Sequence, residues 1–360
     1  MQNRLKKRIL LLRLDAIGDF VLFTSVLPHL RKVFKHGHIT LMVNSVVLPL
    51  AEHCPYVDGI MGIDPKRYTT DRKFVEEIAH EVQGKFDIAI NAQYSRTWQT
   101  DNIIARTHAP IKIGFECLDK DGQQERRTRE QVLYTHLIRT TSEWMYELDR
   151  YVGLLQDLGI SINGRILKPE LWITDQDRES CNQFLKNVVS PHERFAVLCP
   201  GAGFDIKLWS AASFVSVADQ LYGRYQMKVI IAGTENEKLL ATSIMESMKH
   251  KAIDAMGILT LPQFVALMEK AAFYIGIDTA GFHIAWTLGK PTVGIFGGGH
   301  FGRFTPTLPH VKIVHVPMDC YYCYWHCIYD EAKCITTITP EMVMQEIERV
   351  VQTREKVVVH

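Results

Sequence analysis

Residues 274–299 constrain the fold of this chain more than any other stretch. They read as a short apolar strand, a turn at Asp278 and Thr279, an amphipathic helix, a Lys-Pro stop and a second apolar strand that ends in glycines. A strand, a helix and a strand in this order form a crossover between parallel neighbours of one sheet. The stretch therefore predicts a parallel sheet with a functional turn at its carboxyl edge.

The turn of this unit has the features of an anion-binding site. Where a helix starts, the first backbone N–H groups lack partners, and the helix dipole adds positive potential. Here those groups belong to Thr279, Ala280 and Gly281, directly after Asp278, and a phosphate suits such a place. Gly281 and the glycine run 297–299 also predict close approach of a ligand to the backbone. Two such loops at one sheet edge indicate a nucleotide cleft.

The rest of the chain alternates between strands and helices in the same way. Apolar segments typical of buried strands occur at residues 8–14, 39–43, 59–63, 86–91, 111–115, 195–199, 229–233 and 273–277. Alternation of this kind predicts parallel sheets covered by helices on both faces. With 360 residues, of which 47% are hydrophobic, the chain is long enough for two domains. The predicted domains are residues 1–173 and 174–338, followed by a C-terminal helix in 339–360.

Composition excludes several classes of protein. The formal net charge of +1 gives no field that would attract nucleic acid. No apolar run reaches the roughly 18 residues that a membrane-spanning helix needs. The basic and apolar opening imitates a signal peptide, but Arg13 interrupts it and no small-residue cleavage site follows, so a buried first strand is predicted. Eight cysteines without an export signal predict reduced thiols and a cytoplasmic location.

A basic cluster in the first half bears on membrane contact. Its members are Arg4, Lys6, Lys7, Arg8, Arg31, Lys32 and Lys35. Such a cluster fits peripheral contact with the anionic leaflet of an inner membrane. Solvated charge at the end of a helix explains it equally well.

Several motifs resemble those of glycosyltransferase family 9, the heptosyltransferases of lipopolysaccharide assembly. They include residues 278–285, DTAGFHIA, and residues 291–297, PTVGIFG. The family pattern usually has Gly and then Pro or a similar residue after the Asp-Thr/Ser pair, whereas this chain has Ala280 and Gly281. The resemblance covers most of the chain, with three signatures in the order of the family.

The N-terminal signature is Arg13-Leu14-x-x-Ile17-Gly18-Asp19, followed by an apolar helix. The resemblance implies that Asp19 is the general base, which takes a proton from the attacking hydroxyl group. A role as helix cap, common for Asp at such a place, is the alternative. Asp15 on the same loop is a competing base.

The second signature is a strand, Pro-Gly-Ala, Lys207, Trp209 and a helix. The resemblance implies that Lys207 contacts the phosphates of the donor and that Glu237 lies near its ribose. A lysine at a helix start opposes the dipole unless an anion is near, although a solvated lysine is the simpler explanation. Glu235 competes with Glu237, and compensation of a helix dipole would explain either acid. His283, about one turn after Asp278, either faces the nucleotide or packs inside the fold.

One acidic pair and one cluster of cysteines suggest metal sites. Asp175 and Asp177 imitate the DxD motif of metal-dependent glycosyltransferases, but Thr174 before them predicts a helix cap with acids in the first turn. Half of the eight cysteines lie within fifteen residues, and close thiols in a reducing compartment fit a structural Zn or Fe site. The aromatic residues between them fit a packed loop equally well. These cysteines are Cys320, Cys323, Cys327 and Cys334.

The sequence therefore predicts a GT-B fold, with two Rossmann-like domains facing a cleft and the C-terminal helix packing back on the first. The resemblance implies an inverting glycosyltransferase that moves heptose from ADP-heptose onto a lipopolysaccharide-type or other surface glycan, with no cofactor needed for the chemistry. The alternatives are a UDP- or GDP-sugar transferase or epimerase on the same fold, and a non-catalytic nucleotide-binding protein. No motif identifies the sugar or the acceptor.

Overall fold

The computed structural model describes residues 6–116, 132–162 and 167–358, with side chains up to residue 352. The chain divides into two compact units, Met1–Trp172 and Ile173–His360. The sequence places this boundary one residue later. Each unit contains a six-stranded sheet.

The first unit alternates strands and helices. Its strands are β1 (Arg8–Arg13), β2 (His38–Asn44), β3 (Gly59–Ile63), β4 (Ile88–Asn91), β5 (Ile111–Phe115) and β6 (His136–Ile138). Its helices are α1 (Ile17–Phe23), α2 (Leu27–Val33), α3 (Leu48–Ala51), α4 (Pro65–Thr70), α5 (Arg72–Val82), α6 (Trp98–Arg106) and α7 (Glu147–Asp157). The apolar helix expected after the N-terminal signature is two helices, α1 and α2, and Pro28 falls in the first turn of α2, where proline is tolerated best.

The second unit repeats this pattern. Its strands are β7 (Phe195–Cys199), β8 (Lys228–Gly233), β9 (Ile253–Met256), β10 (Phe273–Ile277), β11 (Thr292–Ile295) and β12 (Val311–Val314). Its helices are α8 (Asp175–Lys186), α9 (Ala211–Tyr225), α10 (Lys238–Ser247), α11 (Leu261–Lys270), α12 (Ala280–Thr287), α13 (Lys333–Thr336) and α14 (Pro340–Val358). All five residues of β7 and all five of β10 are buried, as expected for central strands of a parallel sheet covered on both faces.

Both sheets have the same strand order. The order is β3-β2-β1-β4-β5-β6 in the first unit and β12-β11-β10-β7-β8-β9 in the second, and the paired strands are parallel. Counted within each unit, both orders are 3-2-1-4-5-6, the order of Rossmann nucleotide-binding folds. The order reverses between β1 and β4, and again between β7 and β10. Ligands of such sheets bind outside the carboxyl ends of those strands.

The C-terminal helix α14 corrects one expectation from the sequence. We expected it to pack on the first domain, but its apolar face belongs to the core of the second unit, where Val343, Met344, Ile347 and Val350 are at most 3% exposed. The indole Nε1 of Trp209 donates to the carbonyl oxygen of Ile338, just before α14, at 2.8 Å. Apolar residues at helical spacing let α14 cover β11 and β12 instead.

The start of α8 shows the role of the acidic pair Asp175 and Asp177. The Thr174 hydroxyl accepts from the backbone N–H of Asp177, and the Asp177 carboxylate accepts from the backbone N–H of Thr174 at 2.9 Å, which together form a capping box. The cap predicted in place of a DxD metal motif is confirmed. Within the described ranges, no helix combines the length and apolar character needed to cross a membrane.

Candidate functional site

At the switch point of the first sheet, the side chain of Arg13 organises the loops after β1 and β4. Arg13 ends β1 and is 1% exposed. Its Nη1 donates to the carbonyl oxygen of Ala92, which follows β4, at 2.6 Å. Its Nε donates to Oδ1 of Asp15 at 2.7 Å. A buried guanidinium needs partners for its donors, so these contacts fix both loops.

The remaining nitrogen of Arg13 lies between two further carboxylates. Its Nη2 is 3.4 Å from Oδ1 of Asp19 and 3.4 Å from Oε1 of Glu147. Glu147 is fully buried and also pairs with Arg150, Nε to Oε2, at 3.4 Å. The side chains of Asp15 and Asp19 are 17% and 21% exposed. The two aspartates are therefore the members of this network that a substrate can reach.

The environment of Asp15 favours its protonated form. Burial raises the pKa of Asp15 to about 8; Arg13 opposes this rise, and the carboxylates of Asp19 and Glu147 add to it. In the structure, Oδ1 of Asp15 accepts a hydrogen bond from Nε of Arg13. Asp15 stays a competing base, because a raised pKa near the working pH suits a general base.

Asp19 lies in the first turn of α1 without capping it. The N-cap residue is Ala16, and no side chain makes a capping hydrogen bond there. Asp19 is therefore not the N-cap residue of α1. Its carboxylate is directed instead to the guanidinium of Arg13.

Sequence reasoning missed the buried partners of this network. Glu147 begins α7, where an acid reads as ordinary compensation of the helix dipole. Tyr151, one turn later, is fully buried, and its ring centroid is 5.4 Å from the guanidinium carbon of Arg13. The available signal was Arg13 itself, because a charged residue at the end of an apolar strand needs buried partners.

At the switch point of the second sheet, Lys207 and Asp278 form an ion pair. Lys207 ends a short 3-10 turn after β7, Asp205–Lys207, and Asp278 follows β10. The Lys207 Nζ is 2.9 Å from Oδ2 of Asp278, and the two side chains are 14% and 11% exposed. The structure thus brings together two residues that the sequence singled out separately.

The start of α12 lies beside this ion pair. Its N-cap is Thr279, whose side chain makes no capping hydrogen bond and donates instead to the carbonyl oxygen of Ile277 at 3.4 Å. The backbone N–H groups of Ala280 and Gly281 lie in the uncapped first turn. Such a turn carries the positive end of the helix dipole, so Lys207 and the helix start together provide positive potential for an anion.

His283 is a packed, neutral histidine. It is 5% exposed, and its Nδ1 accepts from Nε1 of Trp286 at 3.4 Å. Burial lowers the pKa of His283 to about 4; Asp278 opposes this shift and Lys207 adds to it. The packing alternative therefore describes His283 better than a side chain turned toward a nucleotide.

The glycines of these turns make room for the protein's own side chains. A Cβ atom at Gly281 would lie 2.8 Å from the hydroxyl oxygen of Tyr274. Cβ atoms along the run 297–299 would lie 2.8, 2.2 and 2.4 Å from the rings of Trp325, Tyr321 and Trp325 in turn. The expectation that the run 297–299 admits a ligand is corrected, because aromatic side chains already fill the space beside it.

Glu237 borders the loop after β7 and also closes its own turn. Its carboxylate accepts from the backbone N–H of Thr234 at 2.7 Å and from the Thr234 hydroxyl at 2.8 Å. A Cβ atom at Gly201 would lie 2.2 Å from Glu237 Oε1, so this carboxylate reaches the edge of the second site. Glu235 instead pairs with Lys238 at 3.1 Å and is exposed.

The four clustered cysteines are free thiols that share one neighbourhood. Burial raises the pKa of Cys334; a hydrogen bond from the backbone of Gly298 opposes this, and the thiols of Cys320, Cys323 and Cys327 add to the rise. Across the described part of the chain, however, no group of three or more His, Cys, Asp or Glu side chains is arranged to hold a metal ion. The thiols are close together without the arrangement of a ligand set.

Comparison with known proteins identifies the family. The model of glycosyltransferase family 9 (heptosyltransferase) matches residues 75–332. Lipopolysaccharide heptosyltransferase 3 of Escherichia coli is 22% identical over 286 residues, which are 78% of this chain and 80% of that protein.

Solved structures show the same fold. A glycosyl transferase family 9 protein of Veillonella parvula DSM 2008 has a TM-score of 0.83 at 24% identity and covers 97% of this chain and 98% of its own. The ADP-heptose lps heptosyltransferase II of E. coli has a TM-score of 0.74 at 19% identity and covers 97% of this chain and 99% of its own. These likenesses and the two parallel sheets confirm the predicted GT-B fold. Since the family model spans more than half of the sequence, the chain belongs to glycosyltransferase family 9 and is a glycosyltransferase.

Proposed function

We propose that this glycosyltransferase moves heptose from ADP-heptose onto a lipopolysaccharide-type or other surface glycan, with inversion at the anomeric carbon. The observation that carries the proposal is the Lys207–Asp278 ion pair at 2.9 Å beside the uncapped start of α12, at the switch point of a Rossmann sheet. This is where such folds bind nucleotides. The names of the E. coli relatives, which include lipopolysaccharide heptosyltransferases and an ADP-heptose enzyme, support the donor and the acceptor.

The donor site, in this proposal, stabilises the leaving group. When the bond between the anomeric carbon and the diphosphate breaks, ADP leaves with the bonding electrons and gains negative charge. The N–H groups of Thr279, Ala280 and Gly281, the dipole of α12 and the ammonium of Lys207 oppose that charge. Asp278 holds Lys207 in place. No metal ion or other cofactor is needed for this step.

The acceptor site uses Asp19. As the acceptor oxygen bonds to the anomeric carbon, its proton passes to the Asp19 carboxylate. Nη2 of Arg13 lies 3.4 Å from that carboxylate and helps to position it, and Asp15 on the same loop is the competing base. Asp19 precedes the range matched by the family model, so this role rests on the contacts of Arg13 and on the N-terminal motif.

Glu237 and His283 have supporting roles. The Glu237 carboxylate, which lies against Gly201, accepts hydrogen bonds from the ribose hydroxyl groups of the donor. His283 packs behind the Lys207–Asp278 pair and keeps the turn in shape; as a neutral group, it adds no charge that would compete for the diphosphate.

The donor test compares nucleotides and nucleotide sugars. Calorimetric titration with ADP, UDP and GDP, followed by turnover of ADP-heptose with a lipopolysaccharide core acceptor, should show preference for ADP and release of ADP. Tighter binding of UDP or GDP would replace the donor with that of a UDP- or GDP-sugar transferase or epimerase. Turnover of a nucleotide sugar without an acceptor would indicate an epimerase.

Peripheral contact with an anionic inner membrane is a second part of the proposal. Lys6, Lys7, Lys32 and Lys35 are exposed, whereas Arg31 is engaged with Asp58; Arg4 lies outside the described residues. The exposed lysines lie at the amino edge of the first sheet, opposite the edge that carries Asp19.

Flotation with anionic liposomes at low salt tests this contact. Binding should be lost when these four lysines are changed to glutamine, and salt should weaken it. The same change at Lys186, Lys249 and Lys251, exposed lysines of the second unit, is the control. Absence of flotation by the unchanged protein removes the membrane contact from the proposal.

A structural Zn or Fe ion bound by Cys320, Cys323, Cys327 and Cys334 stays a prediction. Its support is their spacing and the influence of three thiols on the fourth; because the described side chains do not form a ligand set, metal binding requires the loop to rearrange. Metal analysis of the purified protein, with Cys181→Ser as control, should give one ion per chain. Substoichiometric metal with four alkylatable thiols would rule it out.

A further inference from the structure

The loop of residues 320–327 docks on the glycine run 297–299 through its backbone. The N–H of Tyr322 donates to the carbonyl oxygen of Gly298 at 2.8 Å, and the N–H of Tyr324 donates to that of Gly299 at 3.1 Å. The ring of Trp325 fills the space beside the glycines, since a Cβ atom at Gly299 would lie 2.4 Å from it. Two backbone hydrogen bonds and a ring seated on glycine thus define where Trp325 lies.

This arrangement is held against a backbone cost. Tyr322, Tyr324 and Trp325 have φ angles of 69°, 52° and 67°, in the left-handed region that side chains other than glycine seldom adopt. Such conformations are unfavourable and persist where surrounding contacts determine them. In addition, the indole Nε1 of Trp325 donates to Nδ1 of His300 at 3.1 Å. The strain and the hydrogen bond together fix one orientation of the indole ring.

The fixed ring lies against the lysine of the second site. Lys207 Nζ is 4.8 Å from the ring centroid of Trp325 and 2.9 Å from Oδ2 of Asp278. The Lys207 side chain is 14% exposed, and a carboxylate and an aromatic face both lie beside its ammonium group. A cation is attracted to the face of tryptophan, and the attraction strengthens when water is excluded.

We infer that Trp325 is a positioning residue in the donor site. Trp325 holds the ammonium of Lys207 at the start of α12, where the ammonium meets the donor diphosphate. The inference rests on the proposed donor site. It also gives the cysteine-rich loop a task that requires no metal: the loop carries the ring that restrains the lysine. A flexible lysine side chain would lose rotamer freedom on binding a phosphate, and Trp325 and Asp278 remove that loss in advance.

A double-mutant cycle tests whether Trp325 acts through Lys207. The variants are Trp325→Leu, Lys207→Ala and both together, and the readout is the Kd for ADP at fixed salt, measured by calorimetric titration. Trp325→Leu should raise the Kd by about three- to tenfold, the range of a partly buried cation–π contact. Lys207→Ala should raise it further. In the Lys207→Ala background, Trp325→Leu should have little added effect, because the group that it positions is gone.

Two further variants separate positioning from folding. Trp325→Phe keeps an aromatic face and should restore most of the ADP affinity that Trp325→Leu loses. Tyr329→Leu removes the contact of another lysine with a ring in the same part of the chain, Lys333 Nζ to the Tyr329 centroid at 4.5 Å, and should leave the Kd unchanged. The thermal midpoints of Tyr329→Leu and Trp325→Leu show how much each of these two substitutions affects the stability of the fold.

Each other result has a defined meaning. Additive losses in the double variant would overturn the inference, since Trp325 would then act on ADP directly or through the general fold. An unchanged Kd for Trp325→Leu, with a clear loss for Lys207→Ala, would overturn the inference and leave the donor site standing. An unchanged Kd for Lys207→Ala would overturn both.

Discussion

Three carboxylates share the buried guanidinium of Arg13, and two of them belong to the first loop. Asp15 makes the short contact, at 2.7 Å, while Asp19 lies at 3.4 Å and is the more exposed of the two. Glu147 at the same guanidinium also pairs with Arg150. Arg13 thus binds Asp15 more closely and leaves Asp19 the looser contact.

Exchange of Asp19 for asparagine tests its role as the base. Asp19→Asn should lower turnover by about a hundredfold or more, with the ADP affinity and the thermal midpoint nearly unchanged, because the amide keeps the size of the side chain. Asp15→Asn is the matched control on the same loop and should keep turnover within a few-fold, because an amide oxygen can still accept from Nε of Arg13. An active Asp19→Asn enzyme with an inactive Asp15→Asn enzyme would move the base to Asp15.

The pKa of Asp15 also predicts how stability depends on pH. The folded-state pKa of about 8 lies above the ordinary value of 3.8, so the folded protein keeps a proton that the unfolded chain releases. The contribution of this group is therefore full below about pH 4 and is lost as the pH rises toward about 8. The range from about pH 5 to about pH 8 lies between these two pKa values. Over this range, the thermal midpoint of Asp15→Asn should fall less than that of the unchanged protein. Parallel curves would contradict the raised pKa.

The role of a single residue could be predicted where a sequence motif contains it. It could not be predicted where the role depends on buried contacts. Lys207 and Asp278 could be identified from sequence because each stands at a strand-to-helix turn. Their mutual contact, and the ring of Trp325 against the lysine, arise from loops distant in the sequence. The glycine run was misread because glycine next to a ligand and glycine under an aromatic ring have the same sequence signal.

At the scale of secondary structure, α12 shows how little a helix start needs to attract an anion. It is eight residues long, and six of them, residues 281–286, are buried, so its position is fixed by the core. Its first turn has neither an acidic residue nor a capping side chain. The dipole and the N–H groups are consequently left for a ligand.

Thr279, the N-cap of α12, and Thr287, its last residue, provide a matched test. The Thr279 hydroxyl makes only a long hydrogen bond, 3.4 Å to the carbonyl oxygen of Ile277, and we expect it to donate to the diphosphate instead. Thr279→Val removes this hydroxyl and should weaken ADP binding by about 1–3 kcal/mol, the scale of a charge-assisted hydrogen bond. Thr287→Val makes the same change at the other end, where the hydroxyl is buried without a hydrogen-bond partner; it should leave ADP binding unchanged. Equal affinities for the two variants and the unchanged protein, measured by titration, would place the diphosphate elsewhere.

Salt identifies the contribution of Lys207. Lys207→Ala should raise the Kd for ADP at low ionic strength, and the ratio to the unchanged protein should shrink as salt is added, because ions screen the charge interaction. Lys238→Ala, an exposed lysine paired with Glu235, should show no loss at any salt concentration. A salt-independent ratio for Lys207→Ala would indicate a contact of another kind.

The strands that sequence reasoning missed lie at the sheet edges. They are β6, β9 and β12, each of which ends its sheet. Central strands such as β10 are buried along their length and form continuous apolar runs. The missed strands are short and partly exposed, as in the pattern of β12, where the two middle residues are half-buried; a short mixed segment carries little signal.

For the whole molecule, sequence reasoning predicted the architecture better than the placement of its last helix. The alternation of strands and helices was sufficient for two Rossmann-like sheets, because parallel strands require crossover helices. The amphipathic pattern of α14 shows that one face is buried but not against which sheet. Contacts distant in the sequence, such as that of Trp209 with Ile338, decide this.

The separate cores of the two units have a consequence for heat denaturation. Each core lies within one unit, so each unit can lose its structure in its own calorimetric transition. A ligand stabilises only the part of a protein whose folded form binds it, by about 2.7 kcal/mol at a hundred times its Kd. ADP should therefore raise the temperature of the transition of the second unit, which carries the proposed donor site, and calorimetry with and without ADP measures this shift.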